Sequence, residues 1–348
     1  MQTLVRRTPI WVLTFALTLA AGCDNQVTEP TSRLDPDDAV RSAKAAAFNR
    51  VTALEPLPGS SPSHSAANAI NDLGQVVGES SSDNGFRAVI WDHSTVPQSL
   101  GTLTGQLQSS AVAISSNGNI IAGSARDASA NNVVRWLKSG AEWLIDPLPS
   151  GNGCDVGGMS TDGTAIVGTC GTLAVVWLNG ARIVLGEGLA LGVNSNRQAV
   201  GTNAAFNHAL LWNFSTLPVT ETDLGNLGGT FAVALNINDA GQVTGWSETA
   251  GGVSHAFLWS PKKRTMVDLA PGGITSGGYA INATGKVVGD MFPSTQHAGY
   301  YDGRKVVDLG TLPGYSSAIA RGLNNNNQAV GFSSTFSSQT RATLWVLK

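Results

Sequence analysis

Apolar residues occur along this chain in short runs of about four to six, each broken by Gly, Asn, Ser or Pro. Runs of that length, bounded by turn-forming residues, are typical of β-strands. The composition agrees, since Gly is abundant at 41 residues and only 13% of residues are charged. Helical proteins are richer in Ala, Leu, Glu and Lys. We therefore expect many short strands joined by turns.

One unit of this pattern occurs seven times. Each copy has a turn that begins with Asn or Ser, in five of the seven copies of the form Asn/Ser-x-x-Gly, as in "ALNINDAGQVTG" at 234, followed by a short apolar strand that ends in glycine. The seven glycines lie 45, 45, 33, 44, 44 and 42 residues apart, at Gly78, Gly123, Gly168, Gly201, Gly245, Gly289 and Gly331. The repeat is shortened around Gly201. An internal repeat of this length indicates a solenoid, a propeller or an array.

Two further elements complete each copy. A strand with an aromatic end follows the glycine, and its last residues are Trp91, Trp136, Trp177, Trp212, Trp259, Tyr301 and Trp345. A Leu/Gly-rich element comes next, as in "LGNLGG" at 224. Four short strands in about 40–45 residues form one propeller blade. The sequence thus predicts an all-β, seven-bladed β-propeller of four-stranded antiparallel blades.

The predicted arrangement within the ring follows from the chain ends. If the strand before the Asn turn is innermost, the Leu/Gly-rich strand is outermost, and residues 50–57 complete the blade formed by the C-terminus. Such closure pairs the edges that an open ring would expose. We expect the aromatic residues to pack between blades rather than to stack on carbohydrate. We expect the Asp239 side chain to stabilise its turn, with glycine in the left-handed position.

The N-terminus has the features of a targeting segment. Arg6 and Arg7 precede the apolar stretch "IWVLTFALTLA", which ends in "AAGC". This resembles a bacterial lipoprotein signal peptide, in which Cys23 carries the lipid. An ordinary secretory signal is the alternative. We predict a signal peptide over 1–22, the lipidated Cys23 and a polar tether over 23–49, and the propeller over 50–348. The protein would be exported and membrane-anchored, facing the periplasm or the cell exterior.

The repeat unit resembles the HAF-type extracellular repeat of bacterial secreted proteins. The resemblance rests on "HAFLW", which begins at His255, and on "DLG", "LGG" and "GQVVG"-like segments, and it extends over 51–348. It implies a structural repeat and little about activity.

Other chemistry has weak support in the sequence. A net charge of −3 gives no basic surface for nucleic acid. His208, His255 and His297 occupy one repeat position in successive blades, so they are too far apart to share a metal ion. No common catalytic signature occurs in a fitting context. We therefore expect no catalytic residues, no metal, no cofactor and a monomer.

Cys154 and Cys170 remain when Cys23 is lipidated. If the hairpin turns at Thr161-Asp162-Gly163 and pairs Ser160 with Thr164, the two cysteines are directly opposed on adjacent strands. Opposed Cα atoms are about 4.5–5.5 Å apart, which a disulfide can bridge. An exported protein permits the bond, so we predict it; a bulge between the strands would break it.

We expect a ligand on the face opposite the Asn turns, where the loops vary in length and sequence. The candidate residues are Arg126, Asp127, Trp246, Glu248, Asp290, Phe292 and Tyr315. Exposed aromatic and polar side chains there would suit a carbohydrate or an envelope protein; the alternative is that they only cover the blade ends. The sequence favours a binding or scaffolding module. A propeller-type glycoside hydrolase or lyase and a structural subunit of an envelope assembly are the alternatives.

Overall fold

A computed structural model describes residues 50–59, 63–149, 153–273, 275–292 and 296–347. The predicted signal peptide, the tether and Cys23 lie outside these residues, as does the side chain of Phe292. No helix in the described ranges has the length and apolar character needed to cross a bilayer.

The described part of the chain contains 28 strands. In chain order they are β1 (Arg50–Leu54), β2 (Ser65–Ile70), β3 (Val76–Ser82), β4 (Gly85–Trp91), β5 (Gln98–Gly101), β6 (Gln108–Ile114), β7 (Ile120–Arg126), β8 (Asn131–Ser139), β9 (Glu142–Pro147), β10 (Cys154–Met159), β11 (Ala165–Cys170), β12 (Leu173–Leu178), β13 (Ala181–Glu187), β14 (Leu189–Val193), β15 (Gln198–Thr202), β16 (Ala209–Asn213), β17 (Thr220–Asp223), β18 (Gly228–Ile237), β19 (Val243–Thr249), β20 (Ser254–Trp259), β21 (Met266–Asp268), β22 (Gly278–Ile281), β23 (Val287–Phe292), β24 (His297–Tyr301), β25 (Val306–Gly310), β26 (Ser317–Leu323), β27 (Gln328–Ser334) and β28 (Thr340–Val346).

These strands form seven four-stranded antiparallel sheets in the described ranges, which confirms the predicted seven-bladed propeller. Blades 1 to 6 each use four consecutive strands, from β2–β5 through β22–β25. Blade 7 has the order β1-β28-β27-β26. The innermost strands β2, β6, β10, β14, β18, β22 and β26 contact one another around the ring. The outer strand of each blade ends within the Leu/Gly-rich element or directly before it, and it is outermost as expected.

The first strand closes the ring by completing the last blade. Val51 lies opposite Trp345 and Leu54 lies opposite Ala342 in the β1–β28 ladder. Leu54 is buried, in a cluster that includes Ala67 of blade 1 and Val330 of blade 7. The N-terminal strand thus joins the two ends of the ring through backbone hydrogen bonds and apolar packing, as the sequence predicted.

The aromatic residue of each blade packs against a neighbouring blade. Trp136 of blade 2 shares a cluster with Val77 and Ile90 of blade 1, and Trp345 of blade 7 packs with Tyr300 of blade 6. All six consensus tryptophans are buried, whereas Tyr301 is only partly buried. Their packing between blades is confirmed.

The Asn-x-x-Gly turns join adjacent blades as well as adjacent strands. Asn238 Oδ1 accepts a hydrogen bond from the Gln242 amide (2.9 Å), while its Nδ2 donates to the Asn282 carbonyl of the next blade (2.9 Å). Asn282 contacts Asn324 in the same way, and Asn324 contacts Asn71. The expectation for Asp239 was wrong in detail, because its Oδ1 accepts from the Ser195 amide of the preceding blade. The turn residue Gly241 has φ of 74°, in the left-handed region as predicted.

The shortened repeat has a simple cause. The outer strand of blade 3 ends at Glu187 and the inner strand of blade 4 begins at Leu189, so the connection is Gly188 alone. Gly188 has φ of 129°, and a Cβ there would lie 2.2 Å from the Thr202 carbonyl oxygen. Glycine is required at this close approach.

The predicted disulfide between Cys154 and Cys170 is present, with a Cα–Cα distance of 4.1 Å. The strand register differs from the predicted one at two places, and the two differences cancel. The Ser160 amide bonds to the Ala165 carbonyl, so the turn is one residue longer than expected. A β-bulge between Val156 and Gly158 then shifts the register back by one residue and places Cys154 opposite Cys170.

Candidate functional site around the propeller axis

Every inner strand contains a β-bulge at the same repeat position. The bulged residues, one for each blade from 1 to 7, are Asn68, Val112, Gly157, Leu191, Leu235, Tyr279 and Arg321. A bulge leaves one residue unpaired and re-aims its side chain. The position accepts Gly, Val and Leu in four blades, so the fold does not require a polar residue there.

A second ring position follows the consensus glycine in the second strand of each blade. In blades 2, 3 and 4 it holds small, buried hydroxyl residues, namely Ser124, Thr169 and Thr202. In blades 5, 6, 7 and 1 it holds larger, partly exposed residues, namely Trp246, Asp290, Phe332 and Glu79.

At both positions, the larger or polar residues that replace small or apolar ones lie in neighbouring blades, on the same side of the ring. We call the following seven residues the axial sector: Asn68, Glu79, Trp246, Tyr279, Asp290, Arg321 and Phe332. They come from four consecutive blades, because blade 7 lies next to blade 1 in the closed ring. Departures from a structural repeat that cluster in space indicate a site rather than a packing requirement.

Arg321 lies at the centre of the axial sector. Its Nη1 donates to Asn68 Oδ1 of the next blade (3.0 Å), and Asn68 Nδ2 donates to the Ala111 carbonyl (2.8 Å). The Arg321 guanidinium carbon lies 4.7 Å from the Phe332 ring centroid, within the range of a cation–π contact. Burial lowers the pKa of Arg321, while the charge of Glu79 opposes that shift. The guanidinium is thus held by its hydrogen bond to Asn68 and by its contact with the Phe332 ring.

Asp290 and Tyr279 form the second part of the sector. Asp290 Oδ1 accepts from the Gly277 amide (2.6 Å), and Tyr279 Oη donates to Oδ2 (3.4 Å). Burial raises the pKa of Asp290 to about 7, against the lowering effect of its hydrogen bonds to Gly277 and Tyr279. Burial and the nearby Asp290 charge raise the pKa of Tyr279. Near neutral pH, Asp290 is therefore present in both protonated and ionised forms.

The predicted site residues occupy different settings. Trp246 and Asp290 share the second ring position in adjacent blades, and so both belong to the axial sector. Glu248 accepts hydrogen bonds from the amide and the hydroxyl of Thr230, both at 2.6 Å, and thereby fixes the start of blade 5. These hydrogen bonds lower the pKa of Glu248.

The remaining predicted residues are not part of the axial sector. Arg126 Nε donates to Gln108 Oε1 (3.3 Å). Asp127 Oδ1 caps its own loop by accepting from the Ser129 and Ala130 amides (2.7 and 2.9 Å), and hydrogen bonds from Ser129 lower its pKa. The Tyr315 amide donates to the Leu312 carbonyl (3.0 Å) within a turn.

Five of the predicted residues lie in strands rather than in the variable loops of the face where a ligand was expected. Arg126, Trp246, Glu248, Asp290 and Phe292 belong to the second strands of their blades, as the strand bounds show. In blades 2 and 5, for example, the pairing between the second and third strands continues past the consensus glycine, beyond the end of the apolar run.

The three repeat histidines each pair with an aspartate of the outer strand. His208 contacts Asp223 (2.7 Å), His255 contacts Asp268 (2.8 Å) and His297 contacts Asp308 (3.0 Å). These contacts link the "HAF" and "DLG" segments of one repeat. Among the described residues, no three His, Cys, Asp or Glu side chains converge in a way that could hold a metal ion.

A groove of about 520 Å³ lies between blades 4 and 5. Its walls include Asn196, Asn213, Asp239 and Arg264, with Trp259 at the side. Trp259 is buried, so its ring offers little surface for stacking. The groove includes residues of the Asn turns, on the face opposite to the one expected to bind a ligand.

Sequence reasoning did not single out Asn68, Glu79, Tyr279, Arg321 or Phe332. A position-by-position comparison of the seven repeats contains a signal for them, because a polar or large residue stands where most copies have a small or apolar one. The bulge itself was not anticipated.

No protein-family model matches the sequence, and no curated protein does. Solved propellers resemble the fold at low sequence identity. An oligogalacturonate lyase in complex with manganese is 13% identical with a TM-score of 0.57, over 86% of this chain and 93% of that one. The β-propeller domain of the Trilobed protease from Pyrococcus furiosus is 11% identical with a TM-score of 0.54, over 81% and 95%. A GH74 enzyme from Niastella koreensis is 15% identical with a TM-score of 0.54, over 82% and 43%. These likenesses show the β-propeller fold alone.

Proposed function

We propose that this protein is an exported, lipid-anchored binding module that takes its ligand at the axial sector. The observation that carries the proposal is that four consecutive blades carry Asn68, Trp246, Asp290 and Arg321 at two ring positions where the other blades have small or apolar residues. A scaffold alone does not require these residues, because other blades fold with Gly, Val, Leu or Ser at the same positions.

The disulfide is consistent with export, since such bonds persist in oxidising compartments. The lipobox-like sequence before Cys23 supports a lipid anchor, and the resemblance to the HAF-type repeat supports a bacterial secreted protein. Metabolic labelling with a fatty acid tests the anchor. The wild-type chain should incorporate label and sediment with membranes, and Cys23→Ala should do neither.

The binding function is tested with the soluble form, residues 24–348, on an array of neutral and acidic glycans. We expect selective binding that is lost in Trp246→Ala and kept in a matched variant, Trp143→Ala, whose side chain lies in an outer strand of blade 2. Binding that survives in Trp246→Ala would move the site away from this part of the ring. No binding to any glycan would contradict a carbohydrate ligand and favour a protein partner in the envelope.

A propeller-type enzyme is the second candidate, and Asp290 is the observation that favours it. A carboxyl group whose pKa is raised to about 7 can donate and accept a proton near neutral pH. Turnover of a bound glycan that is lost in Asp290→Asn, with binding intact, would support the enzyme.

A further inference from the structure

We propose that Arg321 binds the carboxylate of an acidic saccharide at the axial sector. This inference rests on the proposed binding function and names the class of ligand. It follows from the geometry of the guanidinium and from its lack of a direct counter-charge.

Arg321 differs from the arginines that have a structural role. Arg135 contacts Asp146 at 2.7 Å, and Arg341 contacts Glu55 at 2.6 Å. Within the described residues, no carboxylate oxygen lies within 4.0 Å of the Arg321 guanidinium nitrogens. The charge of Glu79 acts on Arg321 only over a longer distance. A partly buried guanidinium without a direct ion pair is unfavourable unless another group compensates it.

The hydrogen-bonding capacity of Arg321 is also largely unused. A guanidinium has five N–H donors. Among the described residues, the side chain donates one hydrogen bond, from Nη1 to Asn68. Arg321 is partly exposed, so the remaining donors can be reached from solvent. Because Asn68 and Phe332 already hold the planar group, little conformational freedom is lost when a planar carboxylate binds in a bidentate manner.

The surroundings of Arg321 suit a sugar that carries this carboxylate. Asn68, Tyr279 and Asp290 supply amide, phenol and carboxyl groups that can exchange hydrogen bonds with hydroxyls. Trp246 lies in blade 5, next to the blade that carries Tyr279 and Asp290, and supplies a partly exposed aromatic side chain at the second ring position. A uronic acid combines one carboxylate with several hydroxyls, which matches this combination of groups.

The test compares uronic-acid oligosaccharides with neutral oligosaccharides of equal length and with an acidic peptide, by calorimetric titration of the soluble form. We expect the uronates to bind best. Arg321→Leu should weaken uronate binding roughly 10- to 100-fold, the range that loss of a charged hydrogen-bonded pair produces. Leu occupies this position at Leu191 and Leu235, so the variant should fold, which its unfolding temperature will verify. Arg321→Lys, which keeps the charge without the planar fork, should also weaken binding.

Arg304→Leu is the matched control, because it removes the same charge from an exposed turn of blade 6. It should leave uronate affinity unchanged. Equal affinity for neutral and acidic sugars, or unchanged uronate affinity in Arg321→Leu, would overturn the inference while leaving the binding module intact. Preference for the acidic peptide, or competition by inorganic phosphate at the same concentration as the uronate, would also overturn it. If no glycan binds the wild-type protein, both the inference and the carbohydrate-binding function fail.

Discussion

Asn324 Nδ2 donates a hydrogen bond to the Asn71 carbonyl across 253 residues of sequence (3.0 Å). This contact closes the succession of turn-to-turn hydrogen bonds between the last blade and the first. The same asparagine accepts from the Gln328 amide of its own turn (2.9 Å). One buried side chain thus fixes both a local hairpin and the position of the next blade.

Substitution of a turn asparagine should therefore destabilise the whole ring. Asn238→Ala leaves the Gln242 amide and the Asn282 carbonyl without their partner, and we expect the free energy of unfolding to fall by about 2–4 kcal/mol. Urea unfolding of the soluble form measures this loss.

The neighbouring Asp239→Ala serves as the control. The Asp239 carboxylate is exposed and accepts a hydrogen bond from the Ser195 amide, so its removal should lower the free energy of unfolding by less than about 1 kcal/mol. An equal or larger loss for Asp239→Ala would show that the asparagine is not the principal turn residue. Asn238→Ser should be milder than Asn238→Ala, because Ser115 and Ser160 occupy this position in blades 2 and 3 and Ser160 accepts from its own turn.

Ring closure by β1 leads to a second prediction. Leu54→Ala should lower the free energy of unfolding by about 2–5 kcal/mol, because Leu54 is 3% exposed and a cavity would form between blades 7 and 1. Chemical denaturation measures the change. Leu73→Ala, at a leucine that is 52% exposed, should have little effect. Similar values for the two variants would mean that the N-terminal strand contributes little to closure.

The disulfide gives a third prediction. It closes a hairpin with a sequence separation of 16 residues, for which the chain-entropy model gives about 3 kcal/mol. The double variant Cys154→Ser/Cys170→Ser should lose about 2–4 kcal/mol relative to the oxidised wild type in denaturant titrations. With a reducing agent, the wild-type protein should approach the variant. A difference that persists after full reduction would assign the loss to the serine hydroxyls instead.

Asp290 should make stability depend on pH. Its folded-state pKa of about 7 exceeds the ordinary value of 3.8, so the folded protein retains a proton that the unfolded chain releases between these values. The free energy of unfolding should therefore fall as pH rises from about 4 to 7 and then level off. Between pH 5 and pH 8, Asp290 should account for a fall in the free energy of unfolding of at most about 3 kcal/mol.

Asp290→Asn should remove this part of the pH dependence, which urea titrations at pH 5 and pH 8 can measure. Asp302→Asn is the control in the same blade. Hydrogen bonding to the Lys305 and Arg304 amides lowers the pKa of Asp302, so its carboxyl is ionised at both pH values in either state. A wild-type pH profile that Asp290→Asn leaves unchanged would show that Asp290 is ionised in the folded protein throughout this range.

The blade count and strand order were predictable because they depend on local periodicity. Four apolar runs separated by turn residues, repeated seven times, leave few ways to bury all the apolar faces. The positions of the consensus tryptophans, such as Trp136, follow from the same repetition. The strand register around Cys154 was not predictable in this way, because the apolar pattern does not indicate the bulge at Gly157. The one-residue shift at this bulge offsets the one-residue longer turn.

The sequence by itself determined the repeat, the seven blades, the closing strand and the cysteine pair, because each depends on spacing along the chain. Only the tertiary structure decided that Asn68, Tyr279 and Arg321 come together. The bulge re-aims these side chains, and ring closure brings blade 1 beside blade 7, so residues 253 positions apart share a hydrogen bond. Their proximity depends on a small local irregularity and on closure of the whole ring, and neither is encoded in the hydrophobic pattern of a single repeat.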